Sequence, residues 1–346
     1  MTETAYAVHQ IARPAGFPEP GDFRYVELPV PSPAPGTAVV ENLYLSVDPY
    51  HRGMMDGGPD GFELNAPLEG RSVGRVVASR DPQLAEGDLV FHREGWRTHA
   101  VVTAGVGGAR KLRGWAGVPL DAYLGILGGT GLTAYAALTR TAKLRAGEDL
   151  FVSAAAGGVG TATAHIARLL GARRIVGSAG SAAKVDHLTR ELGFDAAFDY
   201  HDGPVAEQLA AAAPDGIDVY VDNVGGEHLE GAIEHLREFG RIAWVGAISM
   251  YNGDRSPAAP RNLFEVVHKS LRMEGVLVRH HTNLQDELEE FLVPHLRTGA
   301  VRSDATISQG FDRTVAAFID MLHGGNTGKT LVRVGAAEPS EAATGS

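Results

Sequence analysis

Cysteine is absent from the 346 residues, so the chain can build no disulfide framework, no thiolate-ligated zinc or iron–sulfur site and no cysteine nucleophile. Basic residues are few: 31 Lys and Arg stand against 42 Asp and Glu, a formal net charge of −11. That excess of acid speaks against nucleic acid or an anionic membrane as a partner. The opening MTETAYAVHQIARPAGFPEP lacks both the basic start and the continuous apolar stretch of a signal peptide, which makes a cytoplasmic location the expectation. Long apolar runs are missing too. Ala122–Thr139 and Leu150–Ala167 carry no formal charge, but paired glycines interrupt both, and small residues stand where a membrane helix would carry Leu, Ile and Phe. No H-E-x-x-H occurs among the scattered 14 histidines, so no metal site is expected.

What is present suffices for two domains. Over the first hundred residues short β segments alternate with Pro- and Gly-rich breaks, among them Phe23–Leu28, Thr37–Ser46, Gly70–Ser79, Leu89–His92 and His99–Thr103. Asp121 is placed to cap a helix running to Leu127, and helical spacing resumes over Leu132–Ala142. From about 148 to 278 strands and helices alternate, the pattern of a parallel sheet with crossover helices. The strands read as Leu150–Ser153, Arg174–Gly177, Ala197–Tyr200, Ile217–Asp222, Arg241–Gly246 and Leu271–Val278. The expected fold is α/β: a doubly wound parallel sheet domain over 123–299, and a mostly β domain formed by 1–122 with 300–346. Residues 336–346 read as a disordered tail.

The most informative segment is Leu150-Phe151-Val152-Ser153-Ala154-Ala155-Ala156-Gly157-Gly158-Val159-Gly160, a strand entering a glycine-rich turn and then a helix. Gly157 lets the backbone approach a diphosphate, Gly160 lets the helix pack on the strand, and the helix start offers free N–H groups to the phosphates. Ala155 stands where the dinucleotide fingerprint has its first glycine. A NAD site places an acidic residue about twenty positions on, at the ribose 2′-hydroxyl. None occurs from Thr161 through Val185, whereas Ser178, Ser181 and Lys184 follow the second strand and suit a 2′-phosphate, so NADP is the expected cofactor.

Six motifs in register resemble one family along essentially the whole chain. They are Tyr44–Met54, Leu124–Tyr135, Ala154–Gly160, Asp222–Gly226, Gly246–Asn252 and Gly325–Thr330. The sequence resembles the zinc-independent medium-chain dehydrogenase/reductases, within them the leukotriene B4 12-hydroxydehydrogenase / prostaglandin reductase group, which includes alkenal double-bond reductases and curcumin reductase. The resemblance implies a Rossmann domain beside a GroES-like catalytic domain, and NADPH-dependent reduction of the carbon–carbon double bond of α,β-unsaturated aldehydes or ketones. It carries cofactor contacts to Ala155, Ala156, Gly157, Lys184, Tyr200, Asn223, Tyr251 and Asn326, with Lys184 and Tyr200 at the 2′-phosphate. Gly158, Val159, Gly160, Ser178, Ser249, Leu277 and Val278 complete the candidate cofactor set. Tyr251 matches a tyrosine near the reacting carbonyl, and Tyr50 is a second candidate donor or a wall of the pocket. Arg52 either binds a phosphate or pairs with a carboxylate, and Asp222 reads as an acceptor at a strand end. His51, Gly53 and the Gly128–Gly131 turn depart from the group's usual pattern and put the pocket's shape in doubt.

Two other readings stay open: a NADPH quinone oxidoreductase of the same superfamily, and a NADPH-binding scaffold or sensor without turnover. A short-chain dehydrogenase is disfavoured, because none of the nine tyrosines is followed four residues later by lysine. The edge strand Leu271–Val278 leads to the expectation of a homodimer.

Overall fold

The computed structural model describes residues 4–105, 107–250 and 260–335, and the chain divides into two compact units. Tyr251, Asn252 and the 336–346 tail lie outside the described residues.

The first unit comprises residues up to Gly114, Ile307–Ile319 and the chain from Thr330. Its strands β1 (Thr4–Gln10) and β2 (Phe23–Pro29) form an antiparallel ribbon. β3 (Ala38–Ser46) is followed by one short helix, α1 (Tyr50–Met54), then β4 (Ser72–Ser79), β5 (Leu89–His92), β6 (His99–Val102) and β7 (Arg110–Lys111). Buried Ala38, Val40, Val76, Val90, Ala100 and Val102 point to one face of this antiparallel sheet and make its core, as the period of two in a strand requires.

The second unit runs from Trp115 to Thr306 and takes in Asp320–Lys329. The unit begins at Trp115 rather than at 123, and Trp115 Nε1 donates to Glu289 Oε2 (3.0 Å), 174 positions on, within it. Asp121 does not cap a helix. It accepts from Ser303 Oγ (2.9 Å), and Leu120–Tyr123 is a single 3₁₀ turn. α2 (Gly129–Ala136) begins inside the expected glycine break and passes into a π turn at Ala137–Thr141. Carbonyls at that wide turn are used by arginines, Arg241 Nε donating to Ala142 O (2.9 Å) and Arg272 Nη2 to Thr141 O (2.5 Å).

Then come β8 (Asp149–Val152), α3 (Gly158–Leu169), β9 (Arg174–Ala179), α4 (Ala182–Arg190), β10 (Ala196–Asp199), α5 (Val205–Ala212), β11 (Ile217–Asp222), α6 (Gly226–His235), β12 (Leu236–Trp244), α7 (Glu265–His268), β13 (Arg272–Gly275) and α8 (Gln285–Arg297). The six strands pair in parallel in the order β10-β9-β8-β11-β12-β13, the doubly wound arrangement whose order reverses between β8 and β11. Every residue of β8 is buried, as expected of a central parallel strand covered on both faces. Phe151 stacks between Phe198 (centroids 5.8 Å) and Tyr220 (4.9 Å) in a core completed by Val176, Leu209 and Ile233. Burying each such aromatic contributes about 2–3 kcal/mol.

β14 (Ala305–Gln309), α9 (Thr314–Leu322) and β15 (Lys329–Arg333) close the chain's described part, and the larger antiparallel sheet has the order β14-β15-β3-β4-β5-β7 with β6 on β3. Among the described residues no helix is long and apolar enough to cross a membrane.

Candidate functional site

In an open parallel sheet, ligands sit beyond the carboxyl ends of the strands, where the strand order reverses. Here that point lies between Ser153, after β8, and Asn223, after β11. Asn223 is pinned there twice: its backbone N–H donates to Ser153 Oγ (2.9 Å) and its Nδ2 to Ser153 O (2.8 Å). Asp222 holds the turn that follows. Its Oδ1 accepts from Val224 N (2.9 Å), Gly225 N (2.8 Å), Tyr220 OH (2.7 Å) and Ser153 Oγ (3.2 Å). Burial, against these donors, raises the pKa of the Asp222 carboxyl. Asp222 is thus the strand-end acceptor that its position suggests, and Ser153, which the sequence reading left as plain strand, is the hub that joins the two turns.

The glycine turn is shaped for close approach. Ala154 adopts φ 47°, in the left-handed region, to swing the chain from β8 into α3. A Cβ on Gly160 would lie 2.3 Å from Ala155 O, so only glycine lets the helix sit this near the strand end. Around Gly157 the space is nearly open: a Cβ there would meet only Ala154 O, at 3.3 Å. The first N–H groups of α3, from Gly158, Val159 and Gly160, have no acceptor within the helix and carry its positive end. A bare backbone cradle at a helix start fits the diphosphate of a dinucleotide. The segment carrying Asn326 lies against the same turn. Gly328 N donates to Ala156 O (2.8 Å), Asn326 Nδ2 donates to Gly328 O (2.9 Å), and a Cβ on Gly158 would come within 3.2 Å of Lys329 Cα.

At the end of β9 the expected residues part company. Ser181 caps α4, its hydroxyl accepting from Lys184 N (3.4 Å), and Lys184 Nζ donates to Gly324 O (2.7 Å). Burial lowers the Lys184 pKa, with Asp320 opposing. Tyr200 is 41% exposed and stands over Gly180. Ser178 is fully buried on the same side of β9 as the core residue Val176, and its hydroxyl has no hydrogen-bond partner among the described residues.

Ser249 Oγ donates to Val224 O (2.6 Å), which brings the turn after β12 against Asn223 and Gly225. Leu277 is exposed and Val278 half-buried just past β13, where Val276 N donates to Trp244 O (2.8 Å).

In the first unit Tyr50 begins α1, with its hydroxyl enclosed and unpartnered and Arg71 over its ring at 5.1 Å. Burial pushes its phenol far up, with Arg71 opposing, so the group is a neutral donor. Arg52 is committed to Asp56 (2.6 Å) and Gly16 O (2.8 Å), the carboxylate pairing of its two readings. Among the described residues no group of three or more His, Asp or Glu is arranged to hold a metal ion.

Comparison with known proteins agrees with this geometry. Residues 7–108 match a family model described as the N-terminal domain of oxidoreductase, and 158–295 one described as zinc-binding dehydrogenase. The chain is 37% identical to the 2-alkenal reductase (NADP(+)-dependent) of Nicotiana tabacum, across 92% of this chain and 94% of that one. It is 39% identical to prostaglandin reductase 1 of Rattus norvegicus, across 92% and 95%. The crystal structure of CurA in complex with NADPH from Vibrio vulnificus superposes with a TM-score of 0.88 at 29% identity, covering 96% of this chain and all of that one. With relatives this similar along nearly its full length, the chain belongs to the zinc-independent medium-chain dehydrogenase/reductases of the prostaglandin, alkenal and curcumin reductase group, and is an NADP-dependent oxidoreductase.

Proposed function

We propose that the protein reduces the carbon–carbon double bond of α,β-unsaturated aldehydes or ketones. The observation that carries this reading is the similarity, along 92% of the chain, to a Nicotiana tabacum protein named 2-alkenal reductase (NADP(+)-dependent). NADPH, when bound, supplies the hydride such a reduction needs. Held by Gly157–Gly160 at the start of α3 and by Lys184 and Tyr200 after β9 and β10, it would lie across the strand ends where Asn223 and Ser249 stand.

Within the protein, the work is to orient and to stabilise charge. Asn223, having spent its N–H and one amide hydrogen on Ser153, keeps its side-chain oxygen as an acceptor for the cofactor. Reduction at the β-carbon moves negative charge onto the substrate's carbonyl oxygen, which hydrogen-bond donors must meet. Tyr251 is the donor assigned here. We also propose a homodimer: β13 is an exposed edge strand, and Phe239, Phe264, Val267 and Met273 are exposed apolar residues.

The test is cofactor oxidation with a medium-chain 2-alkenal, an aryl enone and a simple quinone, each with NADPH and NADH. NADPH-dependent conversion of enal or enone to the saturated carbonyl, lost in Tyr251→Phe, supports the proposal. Turnover of the quinone alone refutes it in favour of a quinone oxidoreductase, and binding without turnover refutes it in favour of a sensor.

A further inference from the structure

Two rings converge on the bare Cα of Gly180. A Cβ there would lie 3.0 Å from Tyr200 Cε1 and 3.3 Å from both the Tyr200 hydroxyl and His201 Cε1. In NAD-binding folds the end of this second strand carries the acidic side chain that takes the ribose 2′-hydroxyl. Here that room is filled by Tyr200 and His201.

The His201 ring is held in a defined pose. It lies against the Tyr200 ring, centroids 4.0 Å apart and planes inclined by 36°. Its Nδ1 is 2.9 Å from Asp199 Oδ1, which also accepts the His201 backbone N–H at 3.1 Å. Tyr200 is braced in turn by the buried ring of His228, edge-on at 5.3 Å. A carboxylate fastened to one ring nitrogen leaves the other, Nε2, as the group to offer, and the His201 side chain is 59% exposed.

We propose that His201 is a third side-chain ligand of the NADP 2′-phosphate, beside Lys184 and Tyr200, with Asp199 as the residue that positions it. The proposal rests on the assignment of Lys184 and Tyr200 to that phosphate. With Nδ1 donating to Asp199, His201 donates from Nε2 to the phosphate as an imidazolium, the form of the ring in which both nitrogens are donors. The titratable groups in contact with the two rings are Asp199 on β10 and His228 on α6.

Calorimetric titration with 2′,5′-ADP and 5′-ADP, at pH 6.0 and pH 8.0, tests this without turnover. His201→Gln is expected to weaken 2′,5′-ADP binding at pH 6.0 by about tenfold, the scale of one partly exposed charge-assisted hydrogen bond, and by less at pH 8.0. Its 5′-ADP affinity should equal that of the wild type, which also reports an intact fold. Asp199→Asn should reduce the same pH dependence. If Lys184→Ala abolishes the preference for 2′,5′-ADP while His201→Gln retains it at pH 6.0, the inference is overturned and the Lys184 assignment stands. A wild-type protein with no preference for 2′,5′-ADP overturns both.

Discussion

His92 should act as an acid-sensitive weak point of the first unit. It is buried at the end of β5, where Nε2 is paired with Asn42 Oδ1 at 2.8 Å and Nδ1 accepts the Glu94 N–H at 3.1 Å. Both nitrogens are spoken for by a neutral ring, and a second ring proton would face the Glu94 N–H. Burial, helped by the nearby Arg97 charge, pushes the His92 pKa down to about 3. An unfolded histidine titrates near 6.5, so below that pH the unfolded chain binds a proton that the folded one refuses. The stability that this difference represents is complete above pH 6.5 and drains away as pH falls toward 3. Between pH 7.5 and 5.0 the loss amounts to about 2 kcal/mol, from 1.4 kcal/mol per pH unit over about 1.5 units. Urea unfolding of wild type and His92→Gln at the two pH values reads it: the variant should be less stable at pH 7.5 but lose about 2 kcal/mol less on acidification. Imidazole carbon NMR gives the direct check. A His92 signal that titrates between pH 6 and 7, or an acid slope unchanged in the variant, would refute the reasoning.

Gly160→Ala forces a methyl to within 2.3 Å of the Ala155 carbonyl, so α3 must shift, costing about 1–3 kcal/mol by urea unfolding and weakening NADPH binding by fluorescence titration. Lys184→Ala should lower kcat/KM for NADPH by about ten- to a hundredfold while leaving NADH unchanged, the loss expected for one charge-assisted contact to a phosphate. Phe264→Asp, on the exposed face beside β13, should shift the proposed dimer to monomer in light scattering, and a wild-type monomer mass would refute that proposal outright.

Much of the second unit was legible because its signals are local. Ile217–Asp222 and the glycine turn were read from strand composition followed by Gly, and both stand. Where the reading missed, distant partners decide. α6 stops at His235 and Leu236 starts β12, because Arg237 is drawn to Asp218 (2.5 Å), Asp149 (2.7 Å) and the Asp215 carbonyl (2.9 Å), none of them near in sequence. The strand expected at Leu271–Val278 shortens to Arg272–Gly275. Asp121 had a capping residue's chemistry but is used by Ser303, 182 positions away. In the site, Ser153 carries no signal beyond its place at a strand end, and His201 none beyond following Tyr200. Their roles arise from strand order, which brings Asn223 to Ser153 and both rings to Gly180.

The way the chain visits the glycine turn bears on its synthesis. Ala156 and Gly158 are made early, yet their neighbours Gly328 and Lys329 come about 170 residues later, after the chain has gone back to the first unit at Ile307–Ile319. A ribosome-bound chain that has emerged only through Thr306 holds all six strands of the parallel sheet but neither the Gly328 N–H for Ala156 nor the Gly324 carbonyl for Lys184. The nascent sheet can therefore form before the nucleotide site is complete, and cofactor capture waits for Gly324–Lys329 to emerge and dock.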